Sequence, residues 1–440
     1  MITRWNNLYE RLRSSLWLVP SLLAVSAGLA AEIALHIDLW LLRENYTPPF
    51  LYPGNIAGAR QVLGTLAASM VSLTTISFSV MMVVLTLASN QFGPRVLRNF
   101  LSDRFYQVVL GIFVATFAYS LFVLGRLPDV DDPGSAVPRF AVTFALVMTF
   151  TSLATLIGFI HHVARSVQAS QIVQQAHREA CRTILAVYPD ALGQDQFDET
   201  PIPREDYASN ITLEVRADRA GYVQAISVDD VMSFAVENDI VVEFHIKPGH
   251  FISTRSLLAT LHGKLPADEK PTRERIRSAV LLGSERTGEQ DAQYGVRQLM
   301  EIGIRSLSPG INDPVTAISC IDYLCEDLAE LARRILPPEQ RYDENGQLRV
   351  VVRRDDFADI ASAAFDNLRH YGRSHPEVMN RLAVGLAMIA GEVHREPDRQ
   401  WMRAALRDLR AEAENLPHQT DRKRFDACCA EAASTLDRSS

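Results

Sequence analysis

The sequence predicts a membrane protein with four transmembrane helices in its N-terminal half and a cytoplasmic α+β half, in which a small barrel-sandwich-like β module precedes a mainly helical domain. Nearly all long apolar runs lie in the first 165 of its 440 residues. Short runs of alternating apolar and polar residues follow at 210–264, and helical periodicity returns after Pro271. The predicted domains are 1–165, 166–209, 210–264 and 265–440, the second being a helical extension and a linker.

Four segments are long and apolar enough to cross a bilayer, because a hydrocarbon layer of about 30 Å requires about 20 apolar residues in a helix. They are Ser14–Ile37, Gln61–Asn90, Phe105–Leu127 and Phe140–His162. The first follows several arginines, as a secretory signal does, but its apolar run is longer and three further spans come after it. We therefore expect it to be retained as an anchor.

The arginines beside the spans predict the orientation of the protein. Nine lie in the N-terminal tail, in the loop between spans two and three, and after span four: Arg4, Arg11, Arg13, Arg95, Arg98, Arg104, Arg165, Arg178 and Arg182. The opposite loops hold four: Arg43, Arg60, Arg126 and Arg139. Because positive residues accumulate on the cytoplasmic side, we expect a multi-pass protein of the bacterial inner membrane with both termini in the cytoplasm.

Charge, cysteines and motifs exclude several classes of function. A net charge of -8 provides no basic face for nucleic acid, so no such partner is expected. The five cysteines all follow the apolar region and none has CxxC spacing, which is typical of reduced cytosolic thiols. Phosphate-binding loops, dinucleotide-binding turns, nucleophile elbows and metalloprotease motifs do not occur. We expect no enzymatic activity, no cofactor and no metal.

Span two carries its polar residues along one side of the helix. At about 100° per residue, eight of its hydroxyl and amide residues, from Gln61 to Asn90, fall within about a third of the circumference, together with Ala68, Ile76 and Val83. Thr74, Ser77 and Ser89 fall outside this arc. The candidate pore-lining residues are Thr65, Ser69, Ser72, Thr75, Ile76, Ser79, Val83, Thr86 and Asn90. Two interpretations stay open. Small hydroxylated residues allow close helix packing, and in a homo-oligomer the same stripe would line a path for ions or a small solute.

Two groups near the ends of the spans are further candidates. Arg95 and Arg98 follow span two and would lie at the cytoplasmic mouth of a pore, where they either favour anions or only satisfy the positive-inside rule. Glu32, His36 and Asp38 lie near the outer end of span one. There the helix either emerges into water or carries an ion-entry or metal site, since ionisable groups inside lipid are costly and usually functional.

The β module has a recognisable order of strands and turns, with the runs GYVQAI, IKPGHFI and SLLATLHG. This order is similar to the biotinyl and lipoyl carrier fold. A carrier presents a modified lysine at a hairpin tip, whereas 228–239 holds no lysine and Lys247 falls in a predicted strand. We expect a module that packs subunits together or couples a ring to the membrane. Its histidines, His245, His250 and His262, are expected at the surface because their spacing matches no metal site.

The segment SPGINDP separates two predicted helices of the last domain. Pro309 and Gly310 end the first helix, whereas Asp313 caps the second and Pro314 occupies its first turn. This accounts for the segment without any chemistry. The polar groups beside the turn are nevertheless candidates for a ligand or subunit contact: Arg297, Arg305, Asn312 and Asp313.

Two longer motifs extend the argument to the whole chain. LTLASNQFGPRVLRNFLSDR and YGVRQLMEIGIRSLSPGINDPVTA resemble a bacterial family of predicted membrane proteins known only as a domain of unknown function. The resemblance covers nearly the whole chain. It implies an inner-membrane protein with four N-terminal spans and a cytoplasmic C-terminal region, and it implies no activity and no catalytic residue.

The leading functional hypothesis is a homo-oligomeric channel or pore-like protein in which span two lines the pathway. Its order of membrane helices, β layer and mixed cytoplasmic end is similar to that of small mechanosensitive channels, an analogy of architecture alone. The alternative is a nonconducting membrane scaffold or sensor whose cytoplasmic module binds a partner or ligand.

Overall fold

The computed structural model describes residues 17–44, 46, 48–93, 103–128, 136–190, 201–208, 211–264, 269–413 and 418–438. The chain divides into two compact units, Met1–Gln171 and Ile172–Ser440. The first holds four candidate membrane spans, and the second is a mixed region of helices and sheets. The candidate mouth residues Arg95 and Arg98 lie outside the described residues.

Within its described residues, the first unit holds four apolar helices, which correspond to the four predicted spans. They are α1 (Leu18–Arg43), α2 (Ile56–Phe92), α3 (Arg104–Gly125) and α4 (Arg139–Ser166). Each is long and apolar enough to cross a membrane. The central helix is α3, which contacts the other three and is the most buried of the four.

Helix α2 is longer than a single crossing requires. Its 37 residues correspond to about 55 Å of helix, against about 30 Å of hydrocarbon. It begins at Ile56 rather than at the predicted Gln61, because the side chain of Asn55 caps it by accepting the N–H of Gly58 at 2.8 Å. It ends at Phe92, because the next residue, Gly93, has a φ of 99° that is incompatible with a continuing helix.

The second unit is mainly helical in its described part. Its helices are α5 (Ala169–Val187, which starts three residues before the unit boundary), α6 (Arg204–Tyr207), α7 (Val228–Asn238), α8 (Glu269–Ala279), α9 (Ala292–Ser306), α10 (Pro314–Arg333), α11 (Phe357–Gly372), α12 (Pro376–Ala390), α13 (Glu396–Ala413) and α14 (Gln419–Arg438). The predicted extension of span four is a separate helix, because α4 ends at Ser166 and α5 begins at Ala169.

Eight strands within the described ranges form two sheets. They are β1 (Ile211–Arg216), β2 (Gly221–Ile226), β3 (Ile240–Phe244), β4 (Phe251–Ile252), β5 (Leu257–Gly263), β6 (Val280–Gly283), β7 (Gln340–Tyr342) and β8 (Leu348–Val351). The five-stranded sheet has the order β1-β5-β3-β8-β7 and the three-stranded sheet β4-β2-β6. Neighbouring strands are antiparallel, except for the parallel pair β3 and β8. Val223, Val242 and Leu261 share one core between the sheets.

The β layer does not end at residue 264 as predicted. β6, β7 and β8 come from the later, mainly helical region and complete both sheets, with Val242 of β3 paired to Val350 of β8. The segment expected to be a hairpin tip between the two halves is helix α7. Lys247 lies in the loop after β3, not in a strand. The β strands of 210–264 therefore depend on distant partners to cover their edges and apolar side chains.

Candidate functional site

The polar stripe of α2 lies on the outside of the four-helix unit. All nine candidate pore-lining residues are exposed in the single chain: Thr65, Ser69, Ser72, Thr75, Ile76, Ser79, Val83, Thr86 and Asn90. The buried side of α2 carries Leu63, Met70 and Ala88, each no more than 1% exposed. Of the four spans, α2 is the least buried. Packing inside one chain therefore does not account for the stripe.

The hydroxyl groups of the stripe donate to their own helix. The hydroxyl groups of Thr65, Ser69, Ser72, Thr75, Ser79 and Thr86 each donate to the carbonyl four residues earlier, at 2.8–3.2 Å. Each hydroxyl thereby uses its proton and keeps its oxygen lone pairs as acceptors. The stripe thus presents a row of hydrogen-bond acceptors to whatever lies beside it.

Other hydroxyl groups serve the interior of the unit. Thr116 of α3 and Ser152 of α4 are fully buried, and their oxygen atoms lie 3.0 Å apart. The Tyr119 hydroxyl donates to the carbonyl of Ala141 at 3.1 Å. Ser77 of α2 is off the stripe and 1% exposed. Internal packing and the stripe therefore use different hydroxyl residues.

The ionisable residues of α1 hold helix ends together. Asp38 is buried, and its carboxylate accepts the N–H groups of Phe140 at 2.7 Å and Ala141 at 2.9 Å. It therefore caps α4, whose own N-cap residue, Pro138, has no side-chain hydrogen bond to offer.

Two further contacts at this end involve Glu32, which accepts a hydrogen bond from Arg126, and His36, whose Nδ1 lies 2.8 Å from the Glu32 carbonyl. The expectation that the end of α1 emerges into water is wrong for Asp38. The alternative of a metal site gains no support, since no group of three possible metal ligands occurs in the described part of the chain.

A group of charged residues in the second unit lies in the loops that follow β3, precede α9 and follow β8, and in the first turn of α11. We call Lys247, Arg286, Asp291, Asp355 and Asp359 the loop cluster. Lys247 Nζ lies 2.5 Å from Asp355 Oδ1 and 3.1 Å from Asp359 Oδ2. Arg286 Nη2 lies 2.6 Å from Oδ2 of the buried Asp291. Burial raises the pKa of Asp291, and Arg286 offsets part of that effect. Lys247 therefore joins the loop after β3 to the segment after β8, whereas the pair of Arg286 and Asp291 holds the loop before α9.

Uncharged groups fix the same loops. The side chain of Gln290 accepts the N–H of Ile226 at 3.0 Å and donates to its carbonyl at 3.3 Å. The Tyr188 hydroxyl donates to the carbonyl of Asp355 at 2.8 Å. Gly249 has a φ of 86°, and a Cβ there would lie 2.4 Å from Asp291 Oδ2. Only glycine therefore fits this turn.

Among the candidate residues around SPGINDP, Arg297, Asn312 and Asp313 contact different neighbours. Asp313 caps α10 as predicted: Oδ1 accepts the N–H of Thr316 at 3.1 Å and Oδ2 accepts its hydroxyl at 2.6 Å. Asn312 has a φ of 51° and contacts His375, with Oδ1 3.4 Å from Nε2. Arg297 donates to Gln293 within α9 at 2.9 and 3.0 Å. Arg305 lies in the last turn of α9.

A buried polar cluster on the five-stranded sheet escaped the sequence analysis. His262, expected at the surface, is 3% exposed, and its Nε2 lies 3.4 Å from Glu243 Oε2 and 3.3 Å from Thr260 Oγ1. Arg204 of α6 covers Glu243 with two hydrogen bonds of 2.9 and 3.1 Å. The Tyr207 ring meets His262 edge-on. The sequence held one signal for this cluster: Glu243 in β3 and Thr260 and His262 in β5 are polar residues within otherwise apolar strands.

Comparison with known proteins agrees with the resemblance of the two long motifs. The profile of the family DUF2254, described as predicted membrane protein, matches residues 13–388. An uncharacterized protein of Mycobacterium tuberculosis (strain CDC 1551 / Oshkosh) is 32% identical over 394 residues, which cover 89% of this chain and 74% of that protein. An uncharacterized protein of Mycobacterium bovis is 31% identical over 394 residues with the same coverage. No solved structure matches the chain. The chain therefore belongs to the DUF2254 family of predicted membrane proteins.

Proposed function

We propose that the protein is a homo-oligomeric channel of the bacterial inner membrane, with its second unit in the cytoplasm and the α2 stripes of several copies facing a common path. The exposed polar stripe carries this proposal. Within one copy, the interior of the helix unit is filled by side chains such as Leu63, Tyr119 and Val123, all 0% exposed. A path for solute therefore requires several copies around an axis.

The chemistry of the stripe suits water and ions. Hydroxyl oxygens whose protons are already used would accept hydrogen bonds from water or contact a cation along the helix. Ile76 and Val83 lie in the same exposed row. In a narrow path these two residues would form an apolar constriction, which gates by excluding water.

Conductance in planar bilayers tests the proposal. Ser72→Leu and Ser79→Leu are expected to remove most of the current of the reconstituted protein, because each places an apolar side chain on the path. Thr151→Leu on α4 is the matched control: this residue is also exposed, and its hydroxyl donates to the Val147 carbonyl at 2.9 Å. Equal losses in all three variants, or no current from the unmodified protein, would reject the channel.

The alternative is a nonconducting scaffold or sensor, and one observation favours it. Because the donors of the stripe are satisfied within the helix, its residues can also face lipid or pack against another protein without leaving a hydrogen unpaired. The oligomer mass in mild detergent separates the two functions. A monomer excludes the channel and leaves the scaffold standing.

A further inference from the structure

A small cavity lies among the three loops of the second unit. Its polar lining comes from Tyr188, Lys247, Gln290, Arg354 and Asp355. The space admits a group about the size of one water molecule. The lining holds two cations and one carboxylate. The carboxylate of Asp355 pairs with Lys247 at 2.5 Å, so Arg354 has no direct counter-ion in the lining.

Arg354, which lines the cavity, and Arg341, whose pKa the charge of Arg354 lowers, form no ion pair with a carboxylate within the described ranges. Arg354 makes one hydrogen bond, from Nη1 to the carbonyl of Val187 at 3.3 Å. The side chain of Arg341 on β7 forms neither a hydrogen bond nor an ion pair with any residue that the structure describes, and both arginines are half-buried. Burial lowers the pKa of each, and the charge of Arg354 lowers the pKa of Arg341 further, whereas Asp229 raises it.

The strand register brings these two residues to one end of the β7–β8 hairpin. Arg341 pairs with Val350, and the pairing continues to Val352, whose N–H donates to the Glu339 carbonyl at 2.9 Å. Val350 and Val352 both point into the core between the sheets. Arg354 follows two positions later, where an extended chain returns to the same side.

The neighbouring helix terminus adds to the positive field. Gln290, which lines the cavity, is bonded to Ile226, directly before the N-cap of α7. That N-cap, Ser227, makes no side-chain capping bond. The positive end of the α7 dipole therefore lies near Gln290, although Asp229 and Asp230 in its first turn offset part of it.

Half-buried guanidinium groups without a counter-ion are unfavourable, whereas neighbouring arginines bind planar or tetrahedral oxyanions through several hydrogen bonds. We propose that Arg341 and Arg354 bind an oxyanion, a phosphate group or one of similar charge and shape, which places a single oxygen atom in the cavity. The group is carried by free phosphate, by a phosphomonoester or by a lipid headgroup. This site is independent of the proposed channel.

Equilibrium dialysis of the full-length protein against labelled inorganic phosphate, at constant ionic strength in mild detergent, tests the site. The unmodified protein is expected to bind one phosphate per chain. Arg354→Gln and Arg341→Gln are expected to weaken binding about tenfold or more, because each removes charge-assisted hydrogen bonds. Arg353→Gln, the exposed neighbour, is the matched control and should bind as the unmodified protein does. Equal binding by all four proteins would overturn the proposal.

The same titration with phosphatidylglycerol vesicles identifies the source of the anion. Binding to vesicles that is lost in Arg354→Gln, without binding of free phosphate, supports the site and assigns it to a lipid headgroup. If neither free phosphate nor the vesicles bind saturably, the proposal is overturned.

Thermal unfolding separates ligand binding from a structural role. Without phosphate, Arg354→Gln is expected to raise the unfolding midpoint, because it removes a cation that has no counter-ion. With saturating phosphate the order should reverse, because only the unmodified protein gains stability from the ligand. A lower midpoint for the variant in both conditions would mean that Arg354 is structural, and the proposal would fail.

Discussion

Single residues at helix ends and crossings decide how the elements of this protein fit together. Asp38 supplies the N-terminal cap of a helix that begins about 100 positions later in the chain, and its two hydrogen bonds satisfy N–H groups for which α4 has no local partner. Such a cap cannot be found from the sequence around α4. It depends on the packing of α1 against α4.

Asp38→Ala should destabilise the first unit by about 2 kcal/mol or more, because it leaves two N–H groups without the carboxylate that accepts them. Unfolding in mixed detergent, followed by the loss of helical signal, measures the change. His36→Ala is the control, since His36 is exposed and its Nδ1 contacts the carbonyl of Glu32 on its own helix. Equal stability of the two variants would contradict the capping role.

Gly295 marks a close crossing between α9 and α5. A Cβ at this position would lie 2.5 Å from the Cα and 2.7 Å from the backbone nitrogen of Ala180, and backbone atoms cannot move aside. Gly295→Ala is expected to destabilise the second unit by about 1–3 kcal/mol through overpacking. Gly310→Ala, where a Cβ meets nothing within 4 Å, should be close to neutral. A thermal unfolding series in which both variants match the unmodified protein would contradict the crossing.

Among the elements, the short segment 201–208 acts as a strap across the five-stranded sheet. The side-chain amide of Gln340 bonds both the N–H and the carbonyl of Ile202, at 2.8 and 2.7 Å. Arg204 and Tyr207 then cover the polar cluster of Glu243 and His262. The strap therefore blocks the free edge of β7 and shields buried polar groups at the same time.

The strap should weaken in acid. Burial raises the pKa of Glu243, but the hydrogen bond and the charge of Arg204, together with His245 and His262, outweigh burial. The folded pKa is therefore lowered, and the stabilisation is lost as pH falls through that value. The pKa of His245 is lowered by burial, and this histidine therefore disfavours the folded state as pH falls below about 6.5. Both groups therefore make the folded state less stable as pH falls.

Hydrogen exchange of residues 201–208, expressed as protection relative to the unfolded rate at each pH, measures this effect. Arg204→Gln should reduce protection several-fold at pH 7, a modest change because the Arg204 side chain is 61% exposed. The difference from the unmodified protein should shrink below about pH 4. Arg216→Gln, which removes an exposed ion pair with Glu214 on β1, is the control. Protection that does not vary with pH would argue against the strap.

The other edge of the same sheet is also closed. Arg277 Nε of α8 donates to the carbonyl of Arg216 at 2.8 Å, and Arg273 donates to the carbonyl of Glu214. Side chains of α8 therefore occupy backbone acceptors of β1 that another strand would otherwise use. With both outer strands covered in this way, addition of a further strand to the sheet is disfavoured.

For the whole molecule, the proposed assembly predicts contact between α2 helices of different copies. Ser72→Cys, in a chain whose partly exposed Cys181 and Cys428 are replaced by serine, should form a covalent dimer with a short thiol cross-linker in the membrane. Thr151→Cys on α4 should not, because it lies outside the stripe. Dimer yields that are equal at the two positions would contradict an assembly around α2.

What the sequence predicted correctly is local, and what it missed depends on distant partners. Hydropathy identified all four spans, and Asp313 was recognised as a cap because its helix begins at the next residue. The pairing of β3 with β8 and the burial of His262 each depend on residues far away in the chain or on the opposite strand. Periodicity placed the stripe on one side of α2, but only the packing of the four helices shows that this side is exposed.

Because α2 is longer than one crossing requires, its position in the membrane depends on the thickness of the bilayer. A rod of about 55 Å must lean or protrude from a layer of about 30 Å. The polar stripe from Thr65 to Asn90 alone runs along about 38 Å of it. A thin bilayer of short acyl chains would therefore leave one end of the stripe in water, whereas a thicker bilayer would enclose more of it. Because stretching a bilayer thins it, the length of the stripe that lies in water would increase with membrane tension.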